Sequence, residues 1–226
     1  MSLIGLVALA VGCEERTGPA DAGPPPCPPD AGFFGSPDAE PEIEIGEISF
    51  GGDWTPIEEG STLSLFTPPQ GGKITLVGAH VTNMVGCGAH LTGRLRDPTR
   101  EGEPVVAREG RIVRFEPIPG REDWGEVPTG EDERTALAAG ANLPACFNYE
   151  ARDMDGCDWI LHVTVEDRDG RSAEVRLPVA LTCLDEDPGL EDDYEREICE
   201  CECAAYYDRR DCNDLPAWTS VPPVCE

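Results

Sequence analysis

The 226-residue sequence predicts a mainly β protein: an antiparallel sandwich between a proline-rich spacer and a cysteine-rich tail. Three observations predict it. Seven or eight short β-rich runs are separated by turn signals. The 22 prolines and 25 glycines leave little room for long helices. The run from Trp159 to Cys183 alternates apolar and polar residues on both sides of a turn. Leu161, Val163 and Val165 alternate with His162, Thr164 and Glu166; after the turn, Ala173, Val175, Leu177, Val179 and Leu181 alternate with more polar neighbours. A period of two sends one set to a buried face and the other to water. Asp167-Arg168-Asp169-Gly170 supplies the turn, with Gly170 free to adopt a positive φ.

Four segments are expected: 1–13, 14–41, 42–183 and 184–226. Leu3 to Gly12 is an unbroken run of apolar and small residues ending at Cys13. It is too short for a spanning helix and suits the core of an export signal. Leu9-Ala10-Val11-Gly12-Cys13 resembles a bacterial lipobox, in which the cysteine is lipidated and becomes the mature N-terminus. Two features depart from that pattern: Ala10 stands where leucine is usual, and no Lys or Arg precedes the apolar run. From Glu14 to Pro41 the chain carries eight prolines and a repeated Asp-Ala-Gly, and little apolar besides Phe33 and Phe34. Such a segment buries too little surface to offset its ordering entropy. Its Pro runs favour a semi-stiff extended spacer of about 3.1 Å per residue.

The β domain is expected over 42–183. Ile43, Ile45, Ile48 and Phe50 mark a first strand, and Ser61 to Phe66 a second, stopped by Pro68-Pro69-Gln70-Gly71-Gly72. Lys73 to Met84 is apolar on both parities, which suits a central strand. The chain then turns at Val85-Gly86-Cys87-Gly88, and Ala89, Leu91 and Leu95 point inward. Val105 to Ala107 and Ile112 to Phe115 read as a hairpin around Arg108-Glu109-Gly110. Pro117 to Gly140 is the least regular stretch, with a helical turn or two expected at Asp132 to Ala139. Leu143 to Tyr149 resumes as a strand. The core is expected from Leu161, Val163, Val165, Val175, Leu177, Val179, Ala89, Leu91, Leu95, Val113 and Phe115.

Residues 184–226 hold 14 acids against three arginines, with a short helix expected within Glu191 to Ala205. Eleven cysteines point to an oxidising compartment. With Cys13 set aside, Cys87, Cys146, Cys157 and Cys183 are expected to pair within or beside the sandwich. Cys199, Cys201, Cys203, Cys212 and Cys225 are expected to pair mostly among themselves, with one reaching outside to Cys27 or Cys183. The run Cys199-Glu200-Cys201-Glu202-Cys203 also suits a thiolate metal cluster, but export favours disulfides.

A net charge of −28 repels phosphate backbones and anionic lipid, which argues against nucleic acid and against electrostatic membrane binding. Membrane attachment would run through the N-terminal lipid.

Val163 to Ser172, followed by alternating apolars, resembles the last two strands of immunoglobulin-like and PKD-like extracellular domains. The Asp-Ala-Gly and proline spacer, the Pro-Gln-Gly-Gly turn with Cys87-Gly88 behind it, and the cysteine-rich tail resemble uncharacterised lipoproteins of the myxobacterial type. That resemblance implies a place in the bacterial cell envelope rather than secretion, with Glu14 after the cysteine favouring the outer membrane over the inner. It implies no catalytic residues.

Candidate chemistry is sparse. His90 and His162 fall on solvent parity, and His80 would face His90 only if the intervening turn centred on Val85. No His-x-x-x-His pair or Gly-x-Ser-x-Gly run is present. Asp153, Asp155, Asp167 and Asp169 offer oxygen ligands for calcium if their loops share one pole of the sandwich, although their spacing fails the EF-hand pattern and turn-forming Asp is the commoner use. No other cofactor is expected. Trp54, Trp124 and Trp218 fall in predicted loops, where they would stack on sugars, anchor a protein partner or close the core. The expected function is a surface-tethered, non-catalytic binding or structural module with a protein or glycan partner. The alternative is a calcium- or zinc-dependent envelope enzyme, which would gather histidines and carboxylates in one pocket.

Overall fold

The computed structural model describes residues 32–49, 51–68, 71–129, 137–146, 152–183, 194–204, 212 and 225. Thirteen strands are described: β1 (Phe33–Phe34), β2 (Glu42–Ile48), β3 (Trp54–Pro56), β4 (Thr62–Leu65), β5 (Lys73–Thr82), β6 (Met84–Val85), β7 (Cys87–Arg96), β8 (Val105–Arg114), β9 (Glu116–Ile118), β10 (Arg121–Glu126), β11 (Ala141–Ala145), β12 (Asp158–Glu166) and β13 (Ser172–Cys183). A C-terminal helix spans Tyr194–Cys203.

The chain is mainly β, in sheets that curl into half-barrels. One sheet has the order β3-β2-β5-β10-β9, with β11 also pairing β5; the other has the order β4-β13-β12-β7-β8. Pairing is antiparallel except where β4 runs parallel to the end of β13, from Thr62↔Ala180 to Leu65↔Cys183. The expected β12–β13 hairpin is present in full register, from Asp158↔Ala180 to Glu166↔Ser172. Gly170 closes its turn at φ 82°.

One core draws side chains from both sheets. Val77, Ala79 and Val81 of β5 meet Leu91 and Leu95 of β7 and Leu161, Val163 and Val165 of β12. The opposite face of β5 is also covered: Ile74 and Leu76 pack with Ile48, Phe66 and Ala139 in a second cluster, against which Trp54 lies. This explains why β5 is apolar on both parities. Val175 and Leu177, expected in the core, are only partly buried. β4 covers β13 only at 180–183, so their half of the strand forms the sheet edge.

Three further expectations are corrected. The hairpin expected around Arg108-Glu109-Gly110 is a single strand, β8, paired along β7. The inward-facing polar residues Glu109 and Arg111 satisfy each other there; Arg111 also donates to the Leu137 carbonyl, and Glu109 accepts from the Asn142 N–H. Trp54 and Trp124, expected in loops, lie on β3 and β10. The spacer expected to end at Pro41 joins the fold from Gly32 onward: β1 pairs β6, and Phe34 is buried. Its ring occupies the space that a Cβ at Gly86 or Gly125 would fill. Burying that ring contributes roughly 1.5–3 kcal/mol toward the cost of ordering the flanking segment.

The tail is stapled to the domain. Cys146–Cys203, Cys157–Cys225 and Cys183–Cys199 each join a domain cysteine to a tail cysteine, and only Cys201–Cys212 lies within the tail. This reverses the expectation that tail cysteines pair mostly with one another. The physical reason is burial: Cys199 and Cys203 belong to the domain core, where domain cysteines rather than tail cysteines are their neighbours. Cys87 is also disulfide-bonded. The described residues contain no helix long and apolar enough to cross a membrane.

Candidate functional site

The outer face of the six-stranded sheet carries the richest side-chain chemistry. Alternation in β2 turns Ile43 and Ile45 toward the core and leaves Glu42 and Glu44 outside. Register places Glu44 and Glu126 on either side of His80, so a carboxylate, an imidazole and a second carboxylate form one cross-strand row. His80 Nδ1 lies 3.8 Å from Glu44 and Nε2 lies 3.4 Å from Glu126. His80 is buried, and among the described residues neither ring nitrogen has a hydrogen-bond partner. Burial therefore pushes its pKa down, against the attraction of Glu44. Burial pushes the Glu126 carboxyl up. Arg121 donates to both Glu44 oxygens, at 2.8 and 3.0 Å, and holds that carboxyl below its ordinary range.

Trp54 stacks on His80 with ring centroids 3.7 Å apart. Its indole fills the space above Gly46 and Gly78, which face each other across β2 and β5; a Cβ at either would overlap the ring. Trp54 is thus a lid on the second cluster.

Beside this row lies an open hollow of about 410 Å³, lined by Gly35, Ser36, Glu42, Thr82, Asn83, Asp123 and Trp124. Asn83 shapes its floor. Its backbone is left-handed at φ 60°, and its side chain accepts from the Ser36 N–H at 2.9 Å and donates to the Glu40 carbonyl at 2.8 Å. Thr82 Oγ1 donates to the Asp123 carbonyl at 2.6 Å. The Arg121 guanidinium sits 4.4 Å over the Trp124 ring. An aromatic wall with carboxylate and amide groups around it suits a hydroxyl-rich or amide-rich ligand.

The other predicted sites do not assemble as expected. Asp153 and Asp155 precede β12, whereas Asp167 and Asp169 follow it, so the four calcium candidates divide between opposite ends of a nine-residue strand. The oxygens of two of them, Asp155 and Asp167, already serve the backbone. Asp155 accepts from the Cys183 N–H at 2.7 Å. Asp167 is buried and accepts from the N–H groups of Val85, Asp169 and Arg171, each at 2.9 Å. The histidines also separate: His80 is on the six-stranded sheet, while His90 and His162 are on the five-stranded one, with His162 paired to Glu174 at 3.0 Å. The sulfurs of Cys183, Cys199 and Cys203 cluster within 4.8 Å, but all three are in disulfides. Cys13 and Trp218 lie outside the described residues.

The hollow and the Glu44–His80–Glu126 row were missed from sequence. The outward parity of Glu42 and Glu44 was visible, but the pairing of β10 with β5 was not. No known protein-family model matches the chain, and no curated protein matches it.

Proposed function

We propose that this chain is a bacterial envelope lipoprotein, fixed through lipid on Cys13, whose β domain is a non-catalytic module for a glycan or protein partner. The observation that carries this reading is the hollow beside Trp124, an open site on a fold whose interior is filled from both sheets. Its Trp wall, Asp123, Glu42 and the fixed amide of Asn83 offer stacking and hydrogen bonds without a convergent acid, base and nucleophile.

We read the domain as immunoglobulin-like. In support, consecutive long strands β5 and β7 belong to different sheets, β12 lies between β7 and β13, and β4 runs parallel beside β13. The proline-rich segment ahead of Gly32 then acts as a spacer between lipid and domain.

The test screens the full mature protein against glycans and envelope proteins, then repeats the measurement with Trp124→Ala and Glu42→Gln. Loss of about tenfold or more in affinity with Trp124→Ala is expected, as for a central aromatic anchor. A ligand whose affinity neither substitution changes would place binding elsewhere.

A further inference from the structure

We propose a second binding site, on the outer face of the five-stranded sheet, for a phosphate or sulfate ester carried on a glycan. It goes beyond the Trp124 hollow and uses none of its residues.

Register alone builds the site. Arg108 lies opposite Arg94, Arg94 opposite His162, and His162 opposite Arg176. Four basic side chains from β8, β7, β12 and β13 thus stand in one straight row on one face, at the ~4.8 Å spacing of neighbouring strands. Arg96 stands two residues along β7 on the same face. The two ends of this group differ. Toward β13 the charge is balanced, because Arg176 pairs with Glu103 and His162 with Glu174. Toward β8 it is not. Among the described residues, Arg94 donates only to the Thr164 hydroxyl, at 3.2 Å, and Arg96 only to the Glu103 carbonyl, at 3.0 Å. Arg108 has no hydrogen-bond or ion-pair partner among the described residues.

The chain has 45 carboxylates against 17 Lys and Arg, yet none pairs with these three guanidiniums among the described residues. Like charges directly opposed across strands destabilise a sheet. Burial, and after it Arg108 and Arg96, hold the Arg94 guanidinium below its ordinary range, against the weaker attraction of Glu174. A tetrahedral oxyanion ester relieves this crowding, because guanidinium groups bind such oxygens in bidentate fashion. Thr92 and Thr164, paired side by side next to Arg94, supply hydroxyls for the sugar that carries the ester. The net charge of −28 selects a solitary ester over a bilayer or a nucleic acid: an extended anionic partner meets the whole acidic surface, whereas a single group meets mainly charges within about 8 Å.

Calorimetry on the full mature protein tests this with a hexose 6-phosphate, a hexose 6-sulfate, the neutral hexose, inorganic phosphate and phosphatidylserine vesicles. Both hexose esters should bind at least tenfold more tightly than neutral hexose and inorganic phosphate, and weaken in high salt. Arg108→Gln and Arg94→Gln should each lose at least tenfold. Arg114→Gln, exposed on the same strand but opposite Cys87, should not. Without ligand, Arg108→Gln should melt at the same temperature or higher, since it removes a repulsion. The proposal is overturned if the esters bind no better than neutral hexose, if Arg114→Gln matches Arg108→Gln, or if Arg108→Gln lowers the melting temperature. It is equally overturned if inorganic phosphate equals the esters, or if vesicles bind and esters do not. Trp124-dependent binding should survive Arg108→Gln, so the two sites fail separately.

Discussion

His80 shows how a residue acquires a property from its neighbours rather than its type. Trp54 covers its ring, β5 buries it, and Glu44 and Glu126 flank it. Its pKa is depressed, so the neutral imidazole is the form that the fold prefers. The stability this contributes is present above the unfolded value of about 6.5 and is lost as pH falls through the lower folded value. Relative to His80→Gln, the wild type should therefore lose melting temperature as pH drops below about 6.5; a pH-independent difference would show that His80 is not held neutral. Glu126 has the opposite sign, because burial raises its pKa and favours folding in acid. Gly46→Val tests the lid. Its side chain would displace Trp54, and overpacking of this kind costs about 1–3 kcal/mol, readable in urea denaturation. Asp167 was legible as a turn former, because Asp accepts from N–H groups a few residues ahead. Its bond to the Val85 N–H, 82 residues away, was not legible, since nothing local specifies it.

At the scale of elements, legibility followed alternation. The β12–β13 hairpin was readable because both strands keep strict parity around an Asp-Gly turn, and β5 was readable because it is apolar on both faces. β8 was misread for a physical reason: Glu109 and Arg111 face inward yet are charged, and their mutual ion pair makes this tolerable. A pair satisfied only in three dimensions looks like a turn in one. Val163 lies fully buried at the centre of β12, between Gly93 and Val175. Val163→Asp places an uncompensated carboxylate there and should cost several kcal/mol, enough to unfold a marginal domain. A cooperative melt at the wild-type temperature would contradict the assignment of its inward face.

Across the whole molecule, cysteine number was legible but connectivity was not, because pairing depends on which elements dock. Peptide mapping of native protein should recover Cys146–Cys203, Cys157–Cys225, Cys183–Cys199 and Cys201–Cys212. Removing Cys146–Cys203, which closes a separation of 57 residues, should cost about 2–5 kcal/mol. Recovery of pairs confined to the tail would overturn the docked arrangement. A domain stapled in this way is suited to life outside the reducing cytoplasm, and under the proposed function it is held there by lipid rather than by charge. One acyl chain alone binds only weakly, so stable attachment requires the multiple chains that the lipobox resemblance implies. Fractionation of Cys13→Ser expressed in the native host tests this most directly. The wild type should pellet with the envelope and carry acyl chains, while the variant should lose them and move to the soluble fraction. A variant that still pellets with the envelope would place the anchor elsewhere and contradict display from Cys13.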